Sequence, residues 1–340
     1  MPAMNAPAAP PFAGLTPDAV LNAIDAVDLT TSGTLLTLNS YENRVFQVGV
    51  EDADGRNGFV VAKFYRPGRW SDAQIAEEHA FVAELAAREI PAVPPLALGG
   101  RTLHHWTDAA SGSEFRLAVY PRRGGRAPNL DDPTTLEWLG RFIGRIHAVG
   151  SAAPFVHRPA LDSDSFGREP RSYLLEHDWL PESLRDMYAQ LSQQALDEVQ
   201  RCQDRAGDTR RLRLHGDVHE GNVLWTPDGP HFVDFDDART GPAVQDLWML
   251  LGDRAQAATR LRDLLAGYED FMEFDRRELL LIEALRTLRL IHYSAWIARR
   301  WDDPAFPAAF PWFGAPRYWE ERILELREQI AVMQEPFLVG

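Results

Sequence analysis

Three residues with oxygen-bearing side chains stand close together in the stretch 212–237: Asp217, Asn222 and Asp234. Two short apolar runs, joined by a Pro-Asp-Gly-Pro turn signal, separate Asn222 from Asp234. Folded as a β-hairpin, these runs bring the three side chains to one place. Asp217 could then accept a proton from a hydroxyl group, and Asn222 and Asp234 could hold a Mg²⁺ ion, which prefers such hard oxygen donors.

The spacing from His215 to Asn222 has the form H-x-D-x-x-x-x-N, with an acidic residue on the next hairpin arm. This is the arrangement of a kinase catalytic loop, in which the metal bridges nucleotide phosphates during transfer. Gly216 stands where eukaryotic protein kinases have arginine, which matches the aminoglycoside-phosphotransferase-like branch instead. The stretch therefore predicts transfer of a phosphoryl group from ATP, with Mg²⁺ as cofactor and Asp217 and Asp234 as catalytic residues.

The same residues also fit, loosely, the sequence motif of a second class of enzyme. Gly216-Asp217-Val218-His219, followed by Gly221-Asn222, is similar to a metallophosphoesterase block. That chemistry needs two metals and further clusters of histidine and aspartate. The ten histidines are scattered along the chain without a second block, so phosphoryl transfer is the favoured interpretation.

A lysine in the N-terminal half supports this interpretation. Lys63 lies in the strand-like run Val61-Ala62-Lys63, which is similar to the kinase strand whose lysine touches the α- and β-phosphates. A lysine inside an apolar strand is costly unless it is paired. The predicted partner is a glutamate on the helix that begins near Ser71, where Glu77 and Glu78 are both candidates and Glu78 is preferred.

Two more nucleotide contacts are expected in this half. The loop 39–43 lacks the Gly-rich phosphate signature, but its backbone N–H groups and the Ser40 hydroxyl could still bind a phosphate. The predicted strand 115–120 runs into proline and glycine, where two lobes of a kinase join. The backbone at 119–121, including Tyr120, should then face the adenine.

The elements that position these residues predict an α+β, two-lobed, protein-kinase-like fold. Residues 1–14 are rich in Ala and Pro and are predicted to form a disordered tail. Residues 15–121 contain the strand signals and form a small β-rich nucleotide-binding lobe. Residues 122–340 contain the catalytic hairpin and otherwise show helical spacing, which predicts a larger helical lobe.

Composition restricts the function class. The chain has 340 residues and a formal net charge of −15, which disfavours nonspecific binding to nucleic acid. Cys202 is the only cysteine, so disulfides within the chain are excluded, which fits a reducing cytoplasm. We see no signal peptide and no apolar run long enough to span a membrane. We expect a cytoplasmic monomer with no membrane or nucleic-acid partner.

The chain resembles the stress response kinase A family, which comprises bacterial aminoglycoside-phosphotransferase-like serine/threonine protein kinases. The resemblance covers nearly everything after the tail and rests on these segments: Asn39 to Val45, Val61 to Pro67, Leu214 to Asn222, Phe232 to Asp234, Asp236 to Arg239, Gly241 to Met249 and Trp301 to Pro307. It implies that Asp217 accepts the proton, that Asn222 and Asp234 bind Mg²⁺, and that Ser40 lies at the ATP site. It also implies phosphorylation of protein Ser or Thr, autophosphorylation and a cytoplasmic protein.

The residues alone leave the acceptor open. A small-molecule kinase acting on homoserine, choline or an aminoglycoside would use the same catalytic parts, and Asp236 and Asp237 could attract a cationic substrate. Asp236 also occupies the glycine position of the D-F-G motif. It could instead hold other site residues in place without contacting the substrate. A nucleotide-binding pseudokinase is the third interpretation. It is disfavoured because Lys63, Asp217, Asn222 and Asp234 are all present.

Overall fold

The computed structural model describes residues 10–51 and 55–335. The strands are β1 Thr30–Thr37, β2 Arg44–Glu51, β3 Asn57–Phe64, β4 His104–Thr107, β5 Glu114–Pro121, β6 Leu212–Leu214, β7 Val223–Thr226, β8 Gly229–Phe232 and β9 Arg239–Gly241. The helices are α1 Pro17–Asp25, α2 Asp72–Ala87, α3 Pro133–Gly150, α4 Glu169–Glu176, α5 Glu182–Ala206, α6 Arg254–Tyr268, α7 Ile282–Ala298, α8 Ala305–Ala309 and α9 Pro316–Met333. Strands dominate the first third of the chain and helices the rest, so the predicted α+β class is confirmed.

The N-terminal lobe is an antiparallel five-stranded sheet in the order β1-β2-β3-β5-β4. Alternating side chains of β2, β3 and β5 pack with α1 into one apolar cluster that includes Val48, Phe64 and Leu117. Local signals set the helix ends. The Thr16 hydroxyl caps α1 before Pro17, and Ser71 and Gln74 form a capping box at the start of α2. The sheet therefore holds β3, which carries Lys63, rigidly between two neighbouring strands.

The predicted tail of 1–14 is described only from residue 10, and residues 1–9 lie outside the described part. Residues 10–14 form a turn, with hydrogen bonds from Ala13 N to Pro10 O and from Leu15 N to Phe12 O. The Phe12 ring lies 4.5 Å from the Arg44 guanidinium and 5.5 Å from that of Arg66. These cation–π contacts place the end of the Ala/Pro-rich segment against the sheet, which its composition did not predict.

The C-terminal lobe is mostly helical and has two apolar clusters. One joins α3 and α6 to the strands β6 to β8, and the other joins α5, α7 and α9. The catalytic hairpin consists of β7 and β8, whereas β6 pairs with β9 in a separate two-stranded ribbon. Within the described ranges, no helix combines the length and apolar character required to cross a bilayer.

Candidate active site

The predicted hairpin forms and gathers the three residues of the catalytic stretch. Asp217, Asn222 and Asp234 all line one cavity of about 920 Å³ between the two lobes. The Asn222 side-chain N–H donates to the backbone carbonyl of Asp217 at 3.0 Å, so its amide oxygen is free to accept. Asp234 follows β8 in a left-handed conformation with φ 59°. Outside glycine this region is sparsely populated, and such residues concentrate at functional sites.

The loop that carries Asp217 is held from below by one buried carboxylate. Asp246 accepts hydrogen bonds from the backbone N–H of His215 at 2.9 Å and of Gly216 at 2.8 Å. His147 Nε2, on α3, lies 3.1 Å from the same carboxylate. A fixed loop keeps Asp217 at one position relative to the hairpin. Sequence reasoning assigned no role to Asp246, although a lone aspartate inside an apolar run is a detectable signal.

Gly216 has two reasons to be glycine. Its φ of +88° lies in the left-handed region, and a Cβ there would overlap the carbonyl oxygen of Asp237. The backbone of the two loops therefore touches where eukaryotic kinases place an arginine side chain. This contact gives a physical reason for the departure noted in the sequence.

Lys63 lies on β3 at the roof of the cavity and is almost completely buried. Its Nζ is 2.8 Å from Asp234 Oδ1 and 3.0 Å from Asp236 Oδ1. Burial alone would lower the pKa of Lys63, but the carboxylates of Asp234 and Asp236 raise it well above its ordinary value. The lysine is therefore a fixed positive charge facing the predicted metal ligands.

The expected ion pair between Lys63 and a helix glutamate is not formed, although the structure describes all the residues involved. Glu77 instead accepts the backbone N–H groups of residues 156–158 at 2.5 to 2.8 Å. Glu78 is buried and lines the cavity, as preferred, but Asp236 takes its place as the partner. Burial raises the pKa of Glu78 to about 7, and Lys63 offsets only part of that rise.

Tyr120 lies at the back of the cavity, and the adenine contact predicted for the backbone at 119–121 stays a prediction. Its hydroxyl is 3.0 Å from that of Tyr65, and the Tyr65 hydroxyl is 2.8 Å from His79 Nε2. Burial raises the pKa of Tyr120, so it stays a neutral phenol beside Lys63 and Glu78. The side chain therefore belongs to a buried polar cluster that supports the lysine.

Ser40 lies in the loop between β1 and β2 and also lines the cavity. Its hydroxyl donates to the carbonyl of Asn43 at 3.3 Å, which closes the loop on itself. Asn43 is buried and donates its side-chain N–H to Asp236 Oδ2 at 3.3 Å. The loop is thus tied to the catalytic hairpin through Asp236, and the phosphate contact of Ser40 stays a prediction.

Arg69 is the main site residue that sequence reasoning missed. Its guanidinium lies 2.5 Å from Asp236 and 2.9 Å from Asp237, and burial does not neutralise it because these acids raise its pKa. Arg239 takes the other side of Asp237 at 2.6 Å. Asp236 and Asp237 could have attracted a cationic substrate, but both are already paired with cationic side chains of the protein itself.

One buried carboxylate joins the two lobes beside the loop at 38–43. Asp303, one per cent exposed, accepts from Arg44 at 2.7 and 2.8 Å and from Arg66 at 2.5 Å. Both arginines belong to the N-terminal sheet region, whereas Asp303 precedes α8. We call this set the Asp303 clasp. It links the sheet beside this loop to the C-terminal lobe.

One wall of the cavity is formed by a stripe of side chains on α7. Its members lie three or four positions apart on the helix: Leu285, Leu288, Arg289, His292, Tyr293 and Trp296. Trp296 donates from Nε1 to Glu42 at 2.6 Å, whereas Trp319 is buried in the core. Trp296 therefore faces the cavity, whereas Trp319 packs in the core.

The donor set agrees with a divalent cation that also binds phosphates. Asn222 offers a free amide oxygen and Asp234 a carboxylate whose side chain is about half exposed, at 53 per cent. No group of three or more His, Cys, Asp or Glu in the described part of the chain could hold a metal by itself. Mg²⁺ usually binds through one or two protein oxygens and completes its shell with water and phosphate. The residues fit that mode.

Comparison with known proteins agrees with this geometry. Residues 34–282 match the sequence model of a family described as "Phosphotransferase enzyme family". The chain belongs to that family. It is 43% identical over 326 residues to Stress response kinase A of Escherichia coli K12, with 96% of this chain and 95% of the relative covered. It is 42% identical, at the same coverage, to the "Serine/threonine protein kinase RdoA" of Salmonella typhimurium LT2. The resemblance to the stress response kinase A family is confirmed, and the chain is an enzyme of the phosphotransferase class.

Solved structures confirm the kinase-like fold. An amicoumacin kinase superposes with a TM-score of 0.71 at 20% identity, covering 94% of this chain and 95% of the other. A microcompartment-associated aminopropanol kinase superposes with a TM-score of 0.70 at 18% identity, covering 94% and 100%. At these identities the likeness concerns the fold alone.

Proposed function

We propose that this enzyme transfers the γ-phosphoryl group of ATP, with Mg²⁺, to serine or threonine hydroxyls of proteins, including its own. The observation that carries the proposal is the meeting of Asp217, Asn222 and Asp234 in one cavity with Lys63 directly above them. A single site thus holds a base for the hydroxyl, oxygen ligands for a metal and a cation for the phosphates. The names of the relatives support protein Ser and Thr as acceptors.

Each residue of the site has its own role in the proposed reaction. Asp217 accepts the proton of the acceptor hydroxyl, and Asp246 holds the loop that carries Asp217. Asn222 and Asp234 hold Mg²⁺, which neutralises charge on the phosphates when it is bound. Lys63 binds the phosphates from the roof, and Asp236 keeps it in place. Ser40 contacts the nucleotide from its loop.

A protein acceptor fits the charge of the cavity better than a small cation does. Asp236 and Asp237 are engaged by Lys63, Arg69 and Arg239 at 3.0 Å or less, so a cationic substrate would have to displace built-in partners. The site nevertheless shares its fold with small-molecule kinases. The acceptor class therefore decides between the two functions.

The test is incubation with labelled ATP and Mg²⁺ in parallel reactions. One contains the enzyme alone, one adds a generic protein, and one adds small alcohols and amines such as choline and homoserine. We expect phosphoserine or phosphothreonine on the enzyme or on the added protein, located by mass spectrometry. Efficient turnover of a small alcohol with no label on protein would reverse the assignment. Tight nucleotide binding without any transfer would favour a pseudokinase.

Metal, location and assembly complete the proposal. Mg²⁺ is proposed over other divalent ions because only a carboxylate and an amide oxygen are offered, and activity with Mg²⁺, Mn²⁺ and Ca²⁺ tests this choice. The solved amicoumacin kinase contains AMP-PNP and Ca²⁺, which supports a nucleotide with a divalent ion at this fold. We propose a cytoplasmic monomer that becomes phosphorylated. Cell fractionation and size-exclusion chromatography with light scattering test these statements.

A further inference from the structure

The proposed base is already occupied by another side chain. Arg289 Nη1 lies 2.7 Å from Asp217 Oδ1. The second carboxylate oxygen, Oδ2, is 3.5 Å from His219 Nε2. The hydrogen bond with His219 and the charge of Arg289 lower the pKa of Asp217, which burial alone would raise. An acceptor hydroxyl that approaches Oδ1 must therefore compete with a guanidinium for that oxygen.

Arg289 reaches Asp217 from α7, in the C-terminal lobe. It belongs to the α7 stripe that lines the cavity, with His292 one turn further along the helix. Burial lowers the pKa of His292 to about 4, so His292 is neutral and leaves Arg289 as the cation of this stripe. The Arg289 side chain is 44 per cent exposed, against 19 per cent for Asp217. The guanidinium is thus open to an incoming acceptor.

The remaining donors of Arg289 have no assigned partner. Among residues 10–51 and 55–335, its only hydrogen bond or ion pair is the one to Asp217. A guanidinium carries five N–H donors in a planar fork that matches a carboxylate. A half-exposed ion pair contributes little to stability, so exchanging one carboxylate for another on Arg289 costs little.

From this arrangement, and on the basis of the protein-kinase function proposed above, we propose that Arg289 selects acceptors whose serine or threonine lies beside an acidic side chain. The acceptor's carboxylate takes the place of Asp217 on the guanidinium and so frees the base. The hydroxyl proton then passes to Asp217, the acceptor oxygen forms a bond to the γ-phosphorus, and the bond from that phosphorus to the β-γ bridging oxygen breaks as ADP leaves. Arg289 changes no bond and acts as a specificity-determining residue.

The test compares three peptide pools with Arg289 variants. Every peptide has one serine in an otherwise uncharged sequence. The three pools differ in carrying a single Glu, a single Gln or a single Lys at a position next to the serine. We expect kcat/KM of the parent enzyme to be about fivefold higher for the Glu pool than for the Gln pool, the upper range for one partly exposed ion pair. The Lys pool should be poorest. The preference should shrink as salt is raised, because screening weakens exposed charge pairs.

Variants of Arg289 distinguish acceptor selection from other roles of this residue. Arg289→Ala should bring the Glu and Gln pools to within about twofold, and its rate on the Gln pool should rise because Asp217 is no longer covered. Arg289→Lys should keep part of the preference, since an ammonium keeps the charge without the fork. Arg262→Ala, an exposed change of the same charge on α6, should keep the parent ratio.

Several results would overturn the inference. Equal rates on all three pools in the parent enzyme, or an unchanged preference in Arg289→Ala, would do so while leaving the proposed function intact. A raised KM for ATP with an unchanged peptide ratio would assign Arg289 to the nucleotide. Loss of all activity in both Arg289→Ala and Arg289→Lys, with unchanged melting temperatures, would assign it to the chemistry. Turnover of small alcohols with no label on any peptide or protein would overturn the function and the inference together.

Discussion

Asp236 Oδ1 lies 3.0 Å from Lys63 Nζ, and its other oxygen lies 2.5 Å from Arg69 Nη1. This aspartate stands at the position where the D-F-G motif has glycine, and it replaces the helix glutamate as the partner of the lysine. Lys63 is therefore paired with the same segment that carries Asp234. If Asp234 were to bind a metal, Asp236 would still hold Lys63 in place.

Asp236→Asn should lower kcat/KM for ATP by about 10- to 100-fold, the usual cost of removing a group that orients a ligand. Without the second carboxylate, Lys63 pairs more tightly with Asp234 and competes with the metal for it. Steady-state kinetics at varied Mg²⁺ measure the effect, which should be partly relieved at high Mg²⁺. Asp228→Asn, in the exposed hairpin turn, is the matched control. Parent-like kinetics in Asp236→Asn would contradict this role.

Removing the lysine tests the other half of the pair. Lys63→Ala should slow transfer by about 10²–10³, the usual loss for one electrostatic donor in a site. The fold should persist because Asp236 keeps Arg69 as a partner. Lys63→Arg should also fail, since a planar fork does not replace a point charge there. Near-normal transfer in either variant, with unchanged melting, would remove Lys63 from the site.

Much of this arrangement follows from local sequence signals. Asn222 and Asp234 flank one hairpin and Asp217 lies in the loop just before it, so spacing and a turn signal suffice to bring them together. Thr16-Pro17 and the Ser71–Gln74 box mark helix starts in the same local way. Such features depend on neighbours within a few residues. The catalytic hairpin and the order of elements were therefore predictable.

Contacts between distant segments were not predictable. Arg69 and Asp236 are separated by 167 positions, Asp217 and Arg289 by 72, and Arg44 and Asp303 by 259. Each pair depends on how the lobes pack, and an arginine in a loop is usually solvated. The choice of Asp236 over Glu78 as the lysine's partner has the same origin, because it depends on the hairpin lying directly beneath β3.

The Asp303 clasp should contribute strongly to stability. Asp303→Asn removes the carboxylate that Arg44 and Arg66 share and leaves Arg66 its ion pair with Glu42. Breaking a buried ion pair costs about 3–5 kcal/mol. Denaturant unfolding should show this loss in the free energy of unfolding. The neighbouring exposed residue offers a control, since Asp302→Asn should stay within about 0.5 kcal/mol of the parent. Equal stability of the two variants would show that the clasp contributes nothing.

Glu78 should make stability depend on pH near neutrality. Its pKa rises from 4.5 in the unfolded chain to about 7 in the folded one, mainly because of burial. The folded state then binds the extra proton, so this contribution is fully present below pH 4.5 and is lost as pH rises through about 7.

Glu78→Gln removes this titration and keeps the shape of the side chain. From about pH 5 to pH 8 the parent should lose on the order of 2 kcal/mol more unfolding free energy than the variant. Glu278, whose pKa burial also raises to about 7, titrates in both proteins and cancels in the comparison. Parallel pH profiles for parent and variant would contradict the burial of an ionisable Glu78.

The division of work between two aspartates is the central claim, because it separates acceptor chemistry from metal binding. Calorimetric titration of ATP with and without Mg²⁺, beside a transfer assay, measures it directly. Asp217→Asn should bind Mg²⁺-ATP nearly as well as the parent while losing about 10²–10⁴ in transfer rate, the usual cost of removing a positioned base. Asp234→Asn should lose both transfer and the Mg²⁺-dependent part of the affinity, with Asn222→Ala between the two. Loss of metal-dependent binding in Asp217→Asn, with that binding intact in Asp234→Asn, would contradict the account.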